Sequence, residues 1–275
     1  MSLKLSDAIK LFSECGVPDP RYDARRLFSE IGKIPDYKLI SPDTECDSPE
    51  LLEAVRRRAA REPLQYILGY TDFYRERYKV TEATLIPRAD TELLVEAAVK
   101  RLPDGAYFID LCTGSGAVAI STLRNTRGTH ALATDISEAA LAVAGHNAEM
   151  NGVSSRISLL LHDVLRDPAP KGESKPFAIL SNPPYVRDEV YESLEREIYF
   201  EPRGAFVGGT DGADFYRSIT ATYRSVISDD GFIAYEIGYD QGDAISLIAE
   251  ENRMSLELLS DLGGNTRVAI LTKKM

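Results

Sequence analysis

From residue 105 to the end of the chain, apolar runs of strand length alternate with stretches of helix length. This alternation is the tightest constraint on the fold. Strands separated by helices pair in parallel, with helices covering both faces of one sheet. The pattern predicts strands at 107–111, 130–134, 157–161, 177–181, 231–237 and 267–272, and helices at 116–124, 138–150, 188–197, 213–227 and 241–252. Ligands of such open sheets bind beyond the carboxyl ends of the strands. The residues at those ends therefore carry the functional reading.

The fourth of these strands, Phe177-Ala178-Ile179-Leu180, runs through Ser181 into Asn182-Pro183-Pro184-Tyr185. Two consecutive prolines remove two backbone N–H donors and fix φ at both positions. The residue before a proline is driven to extended geometry. A stiff turn results, with carbonyl acceptors exposed, an Asn amide in front and an aromatic ring behind. Such a turn can grip a planar N–H₂ group, its acceptors taking the protons and the ring stacking on the face. Taken alone, the four residues read equally well as a rigid loop with a core tyrosine.

The first strand ends in Phe108-Ile109-Asp110-Leu111 and opens into Cys112-Thr113-Gly114-Ser115-Gly116. A glycine turn between strand and helix lets a ligand approach the backbone closely. Gly114, Gly116 and Ala119, with Asp135 ending the next strand, also satisfy the dinucleotide pattern. Asp110 tips the balance. An acid before the glycines repels a pyrophosphate but suits a cation. S-adenosyl-L-methionine has an ammonium, a sulfonium and no phosphate. Asp135 can accept from both ribose hydroxyls, with Ile136 beside it. Asp163 can accept from the adenine amine while Val164 packs near the ring. Any single Asp at a strand end reads as a turn residue; three in register with a glycine loop read as a crevice. The acceptor turn then lies where a methyl acceptor has to sit. An amide or aromatic amine nitrogen is a weak nucleophile, so orientation by the Asn182 side-chain oxygen and the Pro183 carbonyl, with the Tyr185 ring, supplies most of the catalysis.

Upstream, residues 3–61 read as three short helices. Asp19-Pro20 and Ser48-Pro49 supply N-cap and first-turn signals, and Gly32 a stop. Tyr66 to Val80 alternates aromatic and β-branched residues, which predicts a two-strand connector. Pro87 breaks the following run, and Asp90 or Thr91 can cap a helix starting at Leu93. The division expected is a helical domain at 1–70, a β-hairpin connector at 71–86 and the α/β domain at 87–275. The net charge of −11 disfavours a long nucleic-acid substrate. The basic cluster Arg56-Arg57-Arg58 with Arg61 reads as a solvated helix face or, less readily, as a contact to an acidic partner surface or to ribosomal RNA held by a partner. Cys15, Cys46 and Cys112 are scattered, and His130, His146 and His162 have no ligand-spaced neighbours, so neither a disulfide framework nor a metal is expected. No apolar run reaches membrane-spanning length and the first residues lack a signal-like core, so the cytoplasm is expected.

With these residues in place, the chain resembles the HemK/PrmC family, the protein-(glutamine-N5) methyltransferases of peptide-chain release factors, over nearly its full length. The resemblance is carried by Arg61 to Gly69, Leu85 to Glu92, Asp110 to Gly116, Ser181 to Tyr185, Glu201 to Ala205, Gly208 to Gly212, Glu236 to Gly238 with Gln241-Gly242, and Asp261 to Val268. The acceptor turn alone is shared with adenine exocyclic-amine methyltransferases; the combination is more specific. The resemblance implies a Rossmann-like S-adenosylmethionine-dependent methyltransferase domain with a seven-stranded, mostly parallel sheet and a small N-terminal helical bundle that helps hold the substrate. It implies cofactor contacts from Asp110, Cys112, Thr113, Gly114, Ser115, Gly116, Asp135, Ile136, Asp163, Val164 and Asn182. It also implies substrate contacts from Asn182, Pro183, Pro184, Tyr185 and Arg88. The implied partner is a class I peptide chain release factor, methylated by a monomer on the glutamine of its Gly-Gly-Gln tip. Two departures stand out: the family more often has Gly where Cys112 stands, and Pro-Glu where Ala89-Asp90 stand.

Overall fold

The computed structural model describes residues 2–171 and 174–274, which fall into two compact units. The first comprises the chain up to Thr71 together with Glu195–Phe200, a segment that returns from the C-terminal half. The second comprises Asp72–Leu194 and Glu201–Met275. No helix among the described residues is long and apolar enough to cross a membrane.

In the N-terminal unit the two-residue strands β1 (Leu3–Lys4) and β2 (Glu45–Cys46) pair antiparallel. Around them lie α1 (Leu5–Glu14), α2 (Pro20–Glu30), α3 (Pro49–Ala59) and α4 (Leu64–Leu68). Asp19 and Ser48 cap α2 and α3 through Tyr22 N and Leu51 N, as the sequence predicts. Helix α4 corrects the reading of Tyr66-Ile67-Leu68 as strand. Its apolar residues Leu64 and Ile67 join the bundle core, and Gly69 at φ 80° ends it. Burial against the bundle overrode the β propensity of Tyr66 and Ile67.

The arginine cluster is not a solvated face. Arg58 is 4% exposed and donates from Nε to Asp23 Oδ2 at 2.7 Å and from Nη2 to Glu197 Oε1 at 3.0 Å. Arg61 Nε donates to the same Glu197 oxygen at 2.6 Å. Arg57 Nε donates to Glu62 Oε2 at 2.8 Å. Only Arg56, on the outer face of α3, keeps the solvated character expected of the whole run, its ion pair with Glu53 being 3.7 Å long and exposed. The pair Arg58–Glu197 ties the returning segment Glu195–Phe200 into the bundle.

A two-stranded ribbon follows, β3 (Tyr70–Phe73) and β4 (Glu76–Lys79), whose Phe73 and Tyr78 are buried in the core of the α/β sheet. The seven-stranded sheet has the order β10-β11-β9-β8-β5-β6-β7. Its strands are β5 (Tyr107–Leu111), β6 (His130–Asp135), β7 (Ile157–Leu161), β8 (Ala178–Ser181), β9 (Phe232–Glu236), β10 (Met254–Ser260) and β11 (Thr266–Lys273). The pairs β5–β6, β6–β7, β5–β8 and β8–β9 are parallel; β11 runs antiparallel to β9 and β10. Strand β10 went unread because its half-exposed Leu and polar residues give no continuous apolar run.

Period-two alternation sends Phe108 to one face and Ile109 and Leu111 to the other. The first face packs against α5 (Glu92–Arg101) and α6 (Ala117–Arg124), with α7 (Glu138–Met150) alongside. The second packs against α9 (Asp214–Tyr223) and α10 (Gly242–Glu251). The helix predicted over 188–197 is only the short α8, Asp188–Tyr191, because the residues from Glu195 onward belong to the other unit.

The buried Arg58 gives a stability test. Arg58→Ala strands Asp23 and leaves Glu197 to Arg61 alone, and should destabilise the protein by roughly 3–5 kcal/mol. Arg56→Ala should change stability by less than about 0.5 kcal/mol. Urea unfolding followed by circular dichroism measures both, and equal effects would rule out the buried pairing.

Candidate active site

Strand order reverses at β5: the chain moves outward to β6 and β7, then crosses back to place β8 on the other side. Such a switch point leaves a crevice at the carboxyl strand ends. Ser181 Oγ donates to Leu111 O at 2.8 Å, pinning the end of β8 to the end of β5. A cavity of about 740 Å³ opens there. Its wall includes Cys112, Thr113, Gly114, Ser115, Asp135, Ile136, Asp163, Val164, Asn182 and Pro184. Asp110, Gly116, Pro183, Tyr185 and Arg88, also singled out in the sequence, are not part of that wall.

The glycine loop is held by its own backbone demands. Cys112, Gly114 and Gly116 have φ of 58°, 55° and 82°. Cys112 is the departure from glycine noted above, and it takes a left-handed conformation that glycine adopts without strain. A Cβ at Gly116 would stand 2.9 Å from Ile120 Cδ1 and 3.2 Å from Ala144 Cβ, so the loop packs tightly on α6 and α7. Asn147 Nδ2 donates to Ser115 O at 2.8 Å and fixes the loop from α7.

Two carboxylates frame this loop, Asp110 buried and Asp135 half-buried. Asp110 is 1% exposed, and its Oδ2 accepts from Thr113 Oγ1 at 2.6 Å and from Ala119 N at 3.2 Å. Its Oδ1 is buried and has no partner. Burial pushes the Asp110 carboxyl up to about 7, assisted by the nearby Asp135 charge and opposed by the bonds from Thr113 and Ala119. Asp135 Oδ2 accepts from Gly114 N at 2.9 Å and Oδ1 from Ser137 N at 3.0 Å. Burial raises its pKa as well, against those two amides. A pair of desolvated acids with an orphan oxygen favours a cationic ligand and disfavours a pyrophosphate. Ile136, 67% exposed, offers an apolar surface next to Asp135. Asp163 is engaged locally, its Oδ1 accepting from Leu165 N at 3.0 Å, while Val164 is buried against the core.

The acceptor turn is held from behind. Asn182 Nδ2 donates to Thr91 Oγ1 at 3.1 Å, so Oδ1 is the end left for a ligand. Of Asp90 and Thr91, either of which could cap the helix, Thr91 stands at the N-cap of α5; its hydroxyl makes no cap bond and serves Asn182 instead. The Tyr185 ring packs against the core, and its hydroxyl donates to Glu236 Oε1 at 3.1 Å. Gln241 Nε2 donates to Tyr185 O at 2.9 Å. Arg88 is committed to an ion pair with the buried Glu201, which also accepts from Ile86 N at 2.8 Å. Sequence reasoning assigned no role to Thr91 in the site, to Glu201, or to Glu236. One signal was available for Glu236: it is an acid closing the otherwise uncharged buried strand Phe232-Ile233-Ala234-Tyr235. Gly208 and Gly212 lie against the turn, where a Cβ at Gly208 would stand 2.5 Å from Pro184 O and one at Gly212 would overlap Tyr185 O.

Residues 4–69 match the PrmC N-terminal domain and residues 88–199 the methyltransferase small domain. The release factor glutamine methyltransferase of Moorella thermoacetica is 39% identical over 251 residues, covering 89% of this chain and 88% of its own. The chain belongs to the release factor glutamine methyltransferase family. Another relative of that name, from Agrobacterium fabrum, is 32% identical and covers 98% of this chain and 96% of its own. Among solved structures, a ribosomal protein L11 methylase from Lactobacillus delbrueckii subsp. bulgaricus superposes with a TM-score of 0.50 at 21% identity, over 68% of this chain and 81% of its own, which shows the fold. The protein is an S-adenosylmethionine-dependent methyltransferase, and the acid pair with its orphan oxygen suits the cationic end of that donor.

Close packing behind the turn is testable. Gly212, at φ 75°, cannot take a side chain without moving Tyr185. Gly212→Ala should lower methyl transfer by roughly a hundredfold through misplacement of the turn. Gly242→Ala, whose Cβ would meet only Leu258 at 3.5 Å, should leave transfer unchanged. Steady-state rates with labelled donor decide this, and an undiminished Gly212→Ala would contradict it.

Proposed function

We propose that the protein methylates the side-chain amide nitrogen of a release-factor glutamine, that of the Gly-Gly-Gln motif of class I peptide chain release factors, and so supports translation termination. In this reading it acts in the cytoplasm as a monomer, with the N-terminal unit engaging the factor and no nucleic acid as substrate. The observation that carries the reading is Asn182, whose amide nitrogen is taken by Thr91 and whose Oδ1 is thereby left to accept from a ligand in the cavity.

When bound, S-adenosylmethionine supplies an electrophilic methyl group on a sulfonium. Asp110 would hold the ammonium end through Oδ1, Asp135 the ribose hydroxyls, and Asp163 with Ile136 and Val164 the adenine, while Cys112 to Gly116 would give backbone access. Asn182 Oδ1 and the Pro183 carbonyl accept the two protons of the glutamine amide. They fix its plane and direct the nitrogen lone pair to the reacting carbon. Positive charge that develops on the nitrogen falls next to those oxygens. Pro184 forms the adjoining wall, and Tyr185 anchors the turn. No strong base is needed before transfer: the N–C bond would form as the S–CH3 bond breaks, S-adenosylhomocysteine would be the leaving group, and the extra proton would then pass to water. An exocyclic amine of adenine would fit the same grip; the net charge of −11 favours a protein substrate.

Methyl-labelled donor incubated with a release factor, with a factor whose Gly-Gly-Gln glutamine is replaced, and with DNA and RNA tests this. Label should enter the natural factor alone, and label on nucleic acid or on the replaced factor would refute it. Asn182→Ala should keep donor affinity and lose turnover by on the order of a hundredfold. Donor affinity should also weaken as pH falls below about 7, since the cation is held by the ionised Asp110, whose carboxyl is raised to about 7. Asp110→Asn should lose roughly ten- to a hundredfold in affinity, as for one charged hydrogen bond, and flatten that dependence in calorimetric titrations.

A further inference from the structure

The mechanism leaves one buried ionisable group unused. Glu236 ends β9, next to β8, and is 2% exposed. Its Oε1 accepts the Tyr185 hydroxyl, while its Oε2 is buried with no partner. The Thr91 hydroxyl stands close enough to bear on its ionisation. Tyr216, on α9, donates its hydroxyl to the Glu236 main-chain oxygen at 3.1 Å and to Gln241 Oε1 at 3.0 Å, and Gln241 in turn holds Tyr185 O.

A threonine hydroxyl can donate or accept, so the bond from Asn182 Nδ2 to Thr91 Oγ1 keeps this sense only while the hydroxyl hydrogen is directed elsewhere. Its hydrogen decides. Directed to a carboxylate, it leaves Oγ1 as acceptor only, and Asn182 can then offer it only Nδ2. Directed to Asn182, it would attract Oδ1 and turn the Asn182 N–H₂ toward the cavity. Two N–H₂ groups would then face each other, and the substrate amide would lose its acceptor.

We propose that Glu236 is a positioning residue for methyl transfer: it accepts a hydrogen bond from the Thr91 hydroxyl and so turns Asn182 Oδ1 toward the acceptor amide, while its bond to Tyr185 fixes the turn from behind. The proposal rests on the glutamine-methylation reading and assigns that site an orienting relay, Glu236 to Thr91 to Asn182. Its second arm, from Glu236 to Tyr185, is the hydrogen bond already described.

The relay requires an ionised Glu236. Burial raises its carboxyl to about 7, the Thr91 and Tyr185 hydroxyls lower it, Asp90 raises it and Arg267 on β11 lowers it. Arg267 is itself held by Asp90 at 3.0 Å and Asp261 at 3.1 Å. Below about 7 Glu236 gains a proton, so turnover at saturating donor should fall as pH drops through that range. Asp110 has a similar value in the free protein, but a bound cation keeps it ionised at saturation, so its titration enters the donor KM instead.

The test measures kcat, both KM values and the pH profile of release-factor methylation for the wild type, Glu236→Gln, Thr91→Val and Thr91→Ser. Glu236→Gln and Thr91→Val should lose roughly ten- to a hundredfold in kcat, as misoriented groups do, with the donor KM unchanged. Thr91→Ser, which keeps the hydroxyl, should restore turnover. The acid limb of kcat near neutrality should be present in the wild type and absent from Glu236→Gln. Wild-type kcat and an unchanged limb in Glu236→Gln, or equal loss in Thr91→Val and Thr91→Ser, would overturn the relay. If Glu236→Gln fails to fold, the Thr91 pair decides. A wild type that labels no release factor would defeat the functional reading, and the relay with it; an active wild type with indifferent variants defeats the relay alone.

Discussion

The parallel pairing of β5 with β8 is the interaction on which the site depends. Leu111 pairs with Ser181, and the Ser181 hydroxyl closes onto Leu111 O at 2.8 Å. One residue later both strands leave the sheet, one into the loop Cys112 to Gly116 and the other into Asn182-Pro183-Pro184-Tyr185. A slip of one residue in a parallel pair would send each side chain to the other face. It would carry the acid-lined loop and the acceptor turn out of register. Five further strands and two helix layers keep this pair buried, and burial raises the carboxyls of Asp110 and Glu236.

Burial is also what gives the two halves of the site their different chemistry. At the loop, Asp110 and Asp135 are desolvated acids arranged for a cation. At the turn, the residues that face the cavity, Asn182 and Pro184, carry no charge, and the buried acid Glu236 stays behind the turn. A neutral acceptor wall suits an amide, which carries no charge before transfer. The buried acid reaches it only through Thr91 and Tyr185. The same logic, charge placed one layer back, recurs where Glu201 takes Ile86 N and Arg88, next to the wall residue Pro202.

The sequence made much of this legible, for physical reasons that differ by element. Strands β5, β6, β7, β8, β9 and β11 are apolar runs bounded by turn residues, and helices α2 and α3 announce themselves by capping residues. Strand β10 lacks such a run, and α4 has strand-like residues that only bundle packing explains. The loop and turn were visible because glycine and proline restrict the backbone locally. Their supports were not, since Thr91 and Glu236 are brought to Asn182 and Tyr185 from 91 and 51 residues away in the chain. The same distance hid the partners of Arg58 and Arg61: Glu197 lies 139 and 136 residues downstream. Local pattern reads a run of arginines as a solvated face until the acids that bury it are found.

The central claim is an orientation: Asn182 presents oxygen, not nitrogen, to the amide being methylated. A structure of the protein with S-adenosylhomocysteine and a Gly-Gly-Gln peptide reads it directly. The account predicts Asn182 Oδ1 within about 3 Å of the glutamine amide nitrogen, with Nδ2 still on Thr91. A glutamine seated elsewhere, or Asn182 bonded to Thr91 through Oδ1 with its amide nitrogen turned to the substrate, would contradict it.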